Sequence, residues 1–349
     1  MKGHVFFLAL SCAALGQSPD LIIINIPGAQ STFPAAINVT GIIAGTYVDS
    51  NSAGHSFLRD ASGSVTTFDP PGASSINAAG DITGAWYDSS SVSHGFVRVA
   101  GNGVVTTFDA PGAGTSNSQG CGEGTYPTGI SGSTITGFYV DSNCVYHGFV
   151  RSAAGQITTF DVPGAALSPL LGTMPAGIDG AATVAGEFGD VNRVWHGFLR
   201  QPNGSYTTID APGSGTGLGE GTFFSGINSS GVVAGYSNDT NRVYHGFLRL
   251  ATGAFTVFNA PGSGTGNSQG TIVTSINAAG AVTGYYVDGS NRSHGFIRAP
   301  DGSLTTFNAP STSWGTVPRG INNAGATTGY FWTGHGIPVA HGFLRTPAQ

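Results

Sequence analysis

Six of the nine histidines in this 349-residue chain follow an aspartate at one fixed distance. The pairs are Asp49/His55, Asp88/His94, Asp141/His147, Asp190/His196, Asp239/His245 and Asp288/His294. A carboxylate near an imidazole is the material of an acid–base pair or of half a metal site. A reacting pair is normally present once, and this one is written six times. The repetition favours a structural role in which the aspartate closes a hairpin and orients the histidine. The Asp-x-Asn start of several of these loops would suit calcium, but it lacks the ligand number of a dedicated loop. No catalytic residue, metal ligand or cofactor is assigned. No Gly-x-Ser-x-Gly nucleophile elbow, phosphate loop or dinucleotide fingerprint appears in a strand–helix setting.

Three other sets of residues would carry chemistry. Glutamate is rare, at Glu123, Glu187 and Glu220, and Gly122-Glu123-Gly124-Thr125 recurs as Gly219-Glu220-Gly221-Thr222. Two such carboxylates would serve glycoside hydrolysis at a suitable separation. The competing reading is a flexible surface loop with a solvated charge. Next, Tyr146, Trp195 and Tyr244 precede the histidine in three consecutive copies, where the others carry Gly54, Ser93, Ser293 and Ala340. Arg193, Arg242 and Arg292 lie on the same loops. Aromatic rings with arginine at a loop rim can stack on and hydrogen-bond a sugar or a peptide. The alternative is that the rings fill space between repeats. Finally, Cys121 and Cys144 fall in one repeat, and in an exported chain an even pair is most simply a disulfide. Two small buried thiols are the alternative.

These residues are placed by a repeat. The stretch His55-Ser56-Phe57-Leu58-Arg59 returns, usually as His-Gly-Phe-aliphatic-Arg, at His94, His147, His196, His245, His294 and His341, in steps of 39, 53, 49, 49, 49 and 47 residues. A period of that size marks stacked supersecondary units. The copy from Ile276 to Pro310 shows the plan. A first strand ends at Ile276-Asn277, and Asn277-Ala278-Ala279-Gly280 is a turn. Ala281 to Asp288 is rich in valine, threonine and tyrosine and reads as a second strand. His294 to Arg298 is a third, Asp301-Gly302 a hairpin, and Leu304 to Phe307 a fourth. Period-2 alternation in the third strand sets histidine, phenylalanine and arginine on one side and glycine and the aliphatic residue on the other.

Four short strands per repeat describe a β-propeller blade. The last copy ends soon after Arg345 and lacks a fourth strand, whereas Leu21 to Gly28 is a spare one whose Asn25-Ile26-Pro27-Gly28 aligns with Asp109-Ala110-Pro111-Gly112. The expectation is an all-β, seven-bladed propeller over 17–349, with the N-terminal strand completing the last blade and removing an exposed edge. Connections from fourth to first strand read as long before repeats 3 to 6, at 112–129, 164–177, 213–226 and 262–275, but short before repeat 2.

The motifs resemble the HAF family of extracellular repeats of bacterial exported proteins. The matching stretches are His-Gly-Phe-Leu, the Thr-Thr-Phe-Asp-Ala-Pro-Gly of 106–112, and a Gly-Ile-Asn turn followed by Gly-Tyr, as at 226–228 and 235–236. The likeness spans nearly all of 17–349, with His-Gly-Phe standing where the family name implies His-Ala-Phe. It implies an exported repeat protein and transfers no catalytic residue.

Export is also readable at the start. Lys2 followed by the apolar run Val5 to Leu15 is of signal-peptide length, with Ala14-Leu15-Gly16 as the cleavage signal, so 1–16 is expected to be removed before Gln17. A lipoprotein signal lipidated at Cys12 fits less well, because Ala9 stands where leucine is usual. No later run has 18 unbroken apolar residues, so no transmembrane segment is expected. Losing Lys2, the one lysine, takes the formal charge from −6 to −7. That balance excludes a nucleic-acid-binding surface and polybasic lipid attachment. The resulting expectation is a secreted or periplasmic monomer that binds a glycan or an extracellular protein through Tyr146, Trp195, Tyr244, Arg193, Arg242, Glu123 and Glu220. The alternative is a polysaccharide-active hydrolase or lyase that uses the loop glutamates.

Overall fold

The structure, a computed structural model, describes residues 21–117, 119–334 and 338–347. The expected signal peptide and Cys12 lie outside the described residues. Among the described residues the regular structure is entirely β-strand, and no helix is long and apolar enough to cross a membrane.

The repeat around His196 shows how the sequence becomes strands. Its first strand, Thr173–Ile178, pairs antiparallel with Val184–Gly189, which pairs with Trp195–Arg200, which pairs with Tyr206–Ile209. The Gly-Ile-Asn turn does two jobs, as the His245 repeat shows. Asn228 Oδ1 accepts from the amides of Ser230 and Val232 at 3.0 Å, which closes the first hairpin. Its Nδ2 donates to Asn277 O of the next repeat at 3.1 Å. The second hairpin is closed by aspartate: Asp190 Oδ1 accepts from the amides of Asn192 and Val194, both at 2.8 Å. The residue three after that aspartate is left-handed, with φ of 64° at Cys144, 63° at Arg193 and 58° at Arg242.

Packing between repeats follows from the third strand. Phe198 is fully buried and meets Phe160, from the preceding repeat's fourth strand, edge to face at 6.3 Å. The Arg200 guanidinium lies 4.7 Å above the same ring. Arg98 over Phe68, Arg151 over Phe108, Arg298 over Phe258 and Arg345 over Phe307 repeat the arrangement. Burying each such phenylalanine contributes about 1.5–3 kcal/mol, and a cation over its face adds about 0.5–2 kcal/mol. The third-strand glycine lets the next repeat close in, since a Cβ on Gly197 would sit 2.3 Å from Phe224.

Five of the first strands start on, or just after, a glycine that touches the preceding repeat. Gly221, at φ +135°, would place a Cβ 2.0 Å from Trp195 O. Thr222 follows, fully buried, and its Oγ1 accepts from Ala211 N at 2.9 Å. The Gly-Thr pair recurs at 124–125, 172–173, 270–271 and 315–316. These starts shorten the expected connections. First strands begin at Gly124, Thr173, Gly221 and Gly270, well inside the stretches read as loop. Glycine at the junction and small polar residues after it hide the strand from a propensity reading.

At the chain ends, Leu21–Ile24 pairs antiparallel with Val339–Arg345, from Leu21↔Arg345 to Ile24↔Gly342. The first repeat also packs on the last: Phe33 meets Tyr330 edge to face at 5.4 Å, and Ala340 N donates to Ser31 Oγ at 3.2 Å.

Candidate ligand-binding face

Each repeated histidine is held from two sides. His147 Nδ1 lies 2.9 Å from Asp161 Oδ1, and its Nε2 lies 3.6 Å from Asp141 Oδ2. Its ring stacks on Tyr139 at 4.8 Å. The hydrogen bond with Asp161, with the field of Asp161 and Asp141, pushes the His147 pKa up. Burial pushes the Asp141 carboxyl up, but amide hydrogen bonds from Val145 and Asn143 outweigh it and leave the pKa lowered. The hairpin aspartate was legible from sequence; the second partner was missed. It is the Asp or Asn that ends the fourth strand: Asp69, Asp109, Asp161, Asp210, Asn259, Asn308 and, across the chain ends, Asn25. Its signal was an Asx just before the proline turn in every copy. Asparagine serves at three of these positions, so the contact orients the ring and needs no charge.

The two glutamates expected on the binding face are turned inward. Glu123 is fully buried and Glu220 is 8% exposed. Glu220 Oε2 accepts from Gly217 N at 2.8 Å, and Gln269 accepts from Gly266 N in the same way at 2.9 Å. The glycines form the cradle: a Cβ on Gly215 would lie 2.2 Å from Glu220 Oε2, and one on Gly114 2.2 Å from Glu123 Oε2. These carboxylates hold their own loops in shape, which corrects both the solvated-charge reading and the assignment of Glu123 and Glu220 as ligand contacts. Glu187 lies elsewhere, on a second strand, with Oε2 accepting from Phe224 N at 3.3 Å. Burial pushes its carboxyl up to about 8.

The long connections and the Asp-to-His hairpins meet at one end of the strands. Leu170 N donates to Cys144 O, Gly219 N to Arg193 O and Ser268 N to Arg242 O. Cys121 and Cys144 form a disulfide that ties one such connection to the hairpin of its own repeat. Arg193 is exposed, and Arg242 Nη2 donates to Leu218 O at 3.1 Å. Tyr146, Trp195 and Tyr244 are all partly buried. Trp195 and Tyr244 converge on one cluster: Trp195 lies 6.0 Å from Phe223, Phe223 stacks on Tyr236 at 5.1 Å, and Tyr236 meets Tyr244 at 5.6 Å. Tyr146 belongs to a second cluster, with Phe138 at 5.8 Å and Tyr126 stacked on Phe138 at 4.9 Å. The three expected rings thus fall into two groups.

This end also carries a cavity of about 550 Å³ lined by Gln119, Asp141, Asn143, His147, Leu167 and Pro169, with Val145 behind. Around it the loops expose apolar side chains: Leu167 is 65% exposed, Leu218 60% and Val191 80%. A second cavity, of about 540 Å³, runs along the inner strands and is lined by isoleucines and small residues, with Tyr236, Tyr285 and Arg319.

No family model matches the chain, and no curated protein matches it. Solved structures do. The chain is similar to virginiamycin B lyase from Staphylococcus aureus, at 12% identity and a TM-score of 0.57, covering 94% of this chain and 99% of that one. It is similar to TolB from Acinetobacter baumannii, at 13% identity and 0.52, covering 80% of this chain and 66% of that one. A prolyl endopeptidase gives 9% identity and 0.54, with 92% of this chain on 51% of that one. These are β-propeller proteins, and at such identities the likeness establishes the β-propeller fold alone.

Proposed function

We propose that the chain is an exported, seven-bladed β-propeller of the HAF-repeat kind, closed by its N-terminal strand, that binds a glycan or a peptide on its long-loop face. The closure reading rests on the antiparallel pairing of Leu21–Ile24 with Val339–Arg345. The observation that carries the binding reading is the asymmetry of one sector. Long connections, the 550 Å³ cavity, the exposed Leu167, Val191 and Leu218, and the rings of Tyr146, Trp195 and Tyr244 all belong to the His147, His196 and His245 repeats. A cavity of that size with a few polar groups is the usual form of a small-ligand site. Arg193 supplies an exposed guanidinium at the rim, and Arg242 braces the loop beside it. The acidic balance of the whole chain favours a neutral glycan over a polyanion.

A second reading, a polysaccharide-active hydrolase or lyase, is favoured by Glu187. A carboxyl held at about 8 is protonated at neutral pH, as a general acid must be. It needs a second carboxylate at roughly 5–10 Å, and Glu123 and Glu220 are enclosed by their own loops.

A glycan array and a peptide array test the binding reading. Trp195→Ala is expected to weaken the captured ligand by about 1–3 kcal/mol, as losing an aromatic anchor does, with little change in melting temperature. A variant that binds as well as the parent would remove this site. Release of reducing ends from a polysaccharide panel, lost in Glu187→Gln, would replace the binding reading with the enzymatic one.

A further inference from the structure

The inner strands carry a symmetry break of their own. After the proline or apolar residue of each first strand comes a β-bulge whose first residue faces the inner cavity: Ala35, Ser74, Thr128, Ala176, Ser225, Thr274 and Arg319. Most of these are small, and the hydroxyls lock repeat to repeat. Thr128 Oγ1 donates to Pro175 O at 2.9 Å, Ser225 Oγ to Val273 O at 2.6 Å and Thr274 Oγ1 to Pro318 O at 2.9 Å. The last position gives up that bond for a guanidinium. Arg319 is exposed to the cavity, is the one charged side chain among its lining residues, and forms no ion pair among the described residues. It lies near Tyr285, whose phenol feels its positive field. Tyr236 also lines the cavity. Burial pushes both phenols up, so they stay protonated and can donate.

We propose that this cavity is a binding site for a small cyclic carboxylate, a sugar acid of hexuronate size, gripped by Arg319 and flanked by Tyr236 and Tyr285. The grounds are chemical. A guanidinium presents a planar fork that matches a carboxylate two bonds at a time. Tyrosine offers a face for a ring and a hydroxyl for its oxygens. The volume, about 540 Å³, lies within the range of small-ligand cavities. Structure alone does not call for an arginine here, because Ala35 and Ala176 fill the same position without one. The site lies on the inner strands and shares no lining residue with the 550 Å³ cavity of the rim, while its Tyr236 also packs in the ring cluster of Trp195 and Tyr244.

Titration calorimetry of the full protein with glucuronate, glucose and inorganic phosphate tests the proposal. Glucuronate should bind at least about tenfold more tightly than glucose, the discrimination expected of a charge-assisted fork. Arg319→Gln should lose that preference without lowering the melting temperature of the free protein. Leu167→Ala, which alters only the rim cavity, should leave glucuronate binding unchanged. Equal binding of glucuronate and glucose, phosphate binding as tight as glucuronate, full glucuronate affinity in Arg319→Gln, or no binding of any of the three would each overturn it.

Discussion

The two ends of the repeat are built on different principles. At the turn end, Asn38, Asn77, Asn228 and Asn277 each reach a backbone carbonyl of a neighbouring repeat, three of them that of the equivalent asparagine or its successor. Ser131-Gly132 and Asp179 are the departures, and even there Gly132 O accepts from Asn77. At the long-loop end the histidine clamp is constant, but everything around it changes from copy to copy. Glu123, Leu171, Glu220 and Gln269 take turns at one position, as do Ser93, Tyr146, Trp195 and Tyr244 at another. One end joins repeats and tolerates little change. The other has its backbone secured by buried groups, so its surface is free to differ, and a ligand site can be carried there without disturbing the stack.

The largest expected effect tests the joining. If the N-terminal strand closes the ring, deleting residues 20–28 leaves the last repeat one strand short and exposes the edge of Val339–Arg345. A large downward step in the melting temperature is expected, and an unchanged melt would break the closure reading. Next is the disulfide, which spans 23 residues and restrains a connection that has no strand of its own before Gly124. Its loss in Cys144→Ser should cost about 3 kcal/mol. Thiol labelling of the unreduced protein followed by intact mass should find both cysteines blocked.

A paired substitution separates contact from conformation. Gly221 and Gly219 are both left-handed, but a Cβ on Gly221 would strike Trp195 O at 2.0 Å, whereas one on Gly219 meets nothing within 4 Å. Gly219→Ala should cost about 1 kcal/mol, the conformational term. Gly221→Ala adds a backbone clash and should cost about 1–3 kcal/mol more. Equal urea midpoints for the two would mean that the junction between repeats is looser than its geometry indicates.

Much of this was written in the sequence because the repeat was. The period of His-Gly-Phe-aliphatic-Arg located the third strands, and the spare Leu21 to Gly28 stretch named its own partner. The pairing of Cys121 with Cys144 followed from their sharing a repeat. What escaped were relations between strands. Nothing local to His147 indicates Asp161, which comes beside it only when the fourth strand folds back. Glu123 and Glu220 read as surface charges because glycine-rich loops look open, yet those glycines close around the carboxylates. Trp195 and Tyr244 share a cluster that excludes Tyr146 because of Phe223 and Tyr236, side chains on other strands.

The smallest expected effect returns to the constant part of the long-loop end. His147 meets carboxylates on both sides, Asp161 from the fourth strand and Asp141 from the hairpin. His341 meets Thr333 Oγ1 at 2.9 Å and Asn25 Oδ1 at 3.4 Å. The hydrogen bond and field of Asp161 raise the His147 pKa above its ordinary 6.5. A raised folded-state value means that the native protein holds the proton more tightly than the unfolded chain does. Its stabilisation is therefore complete below 6.5 and fades as pH climbs through the raised value. Cooling the comparison to one measurement, the melting temperature of the parent relative to His147→Gln should be greater at pH 6 than at pH 8, by on the order of 1 °C. His341→Gln, which removes no contact to a carboxylate among the described residues, is the reference. Added salt should shrink the difference, since the ring is partly open to solvent. A gap that is the same at both pH values would mean that the clamp works through packing on Tyr139 alone, and that the two ends of the repeat differ less in kind than their charges suggest.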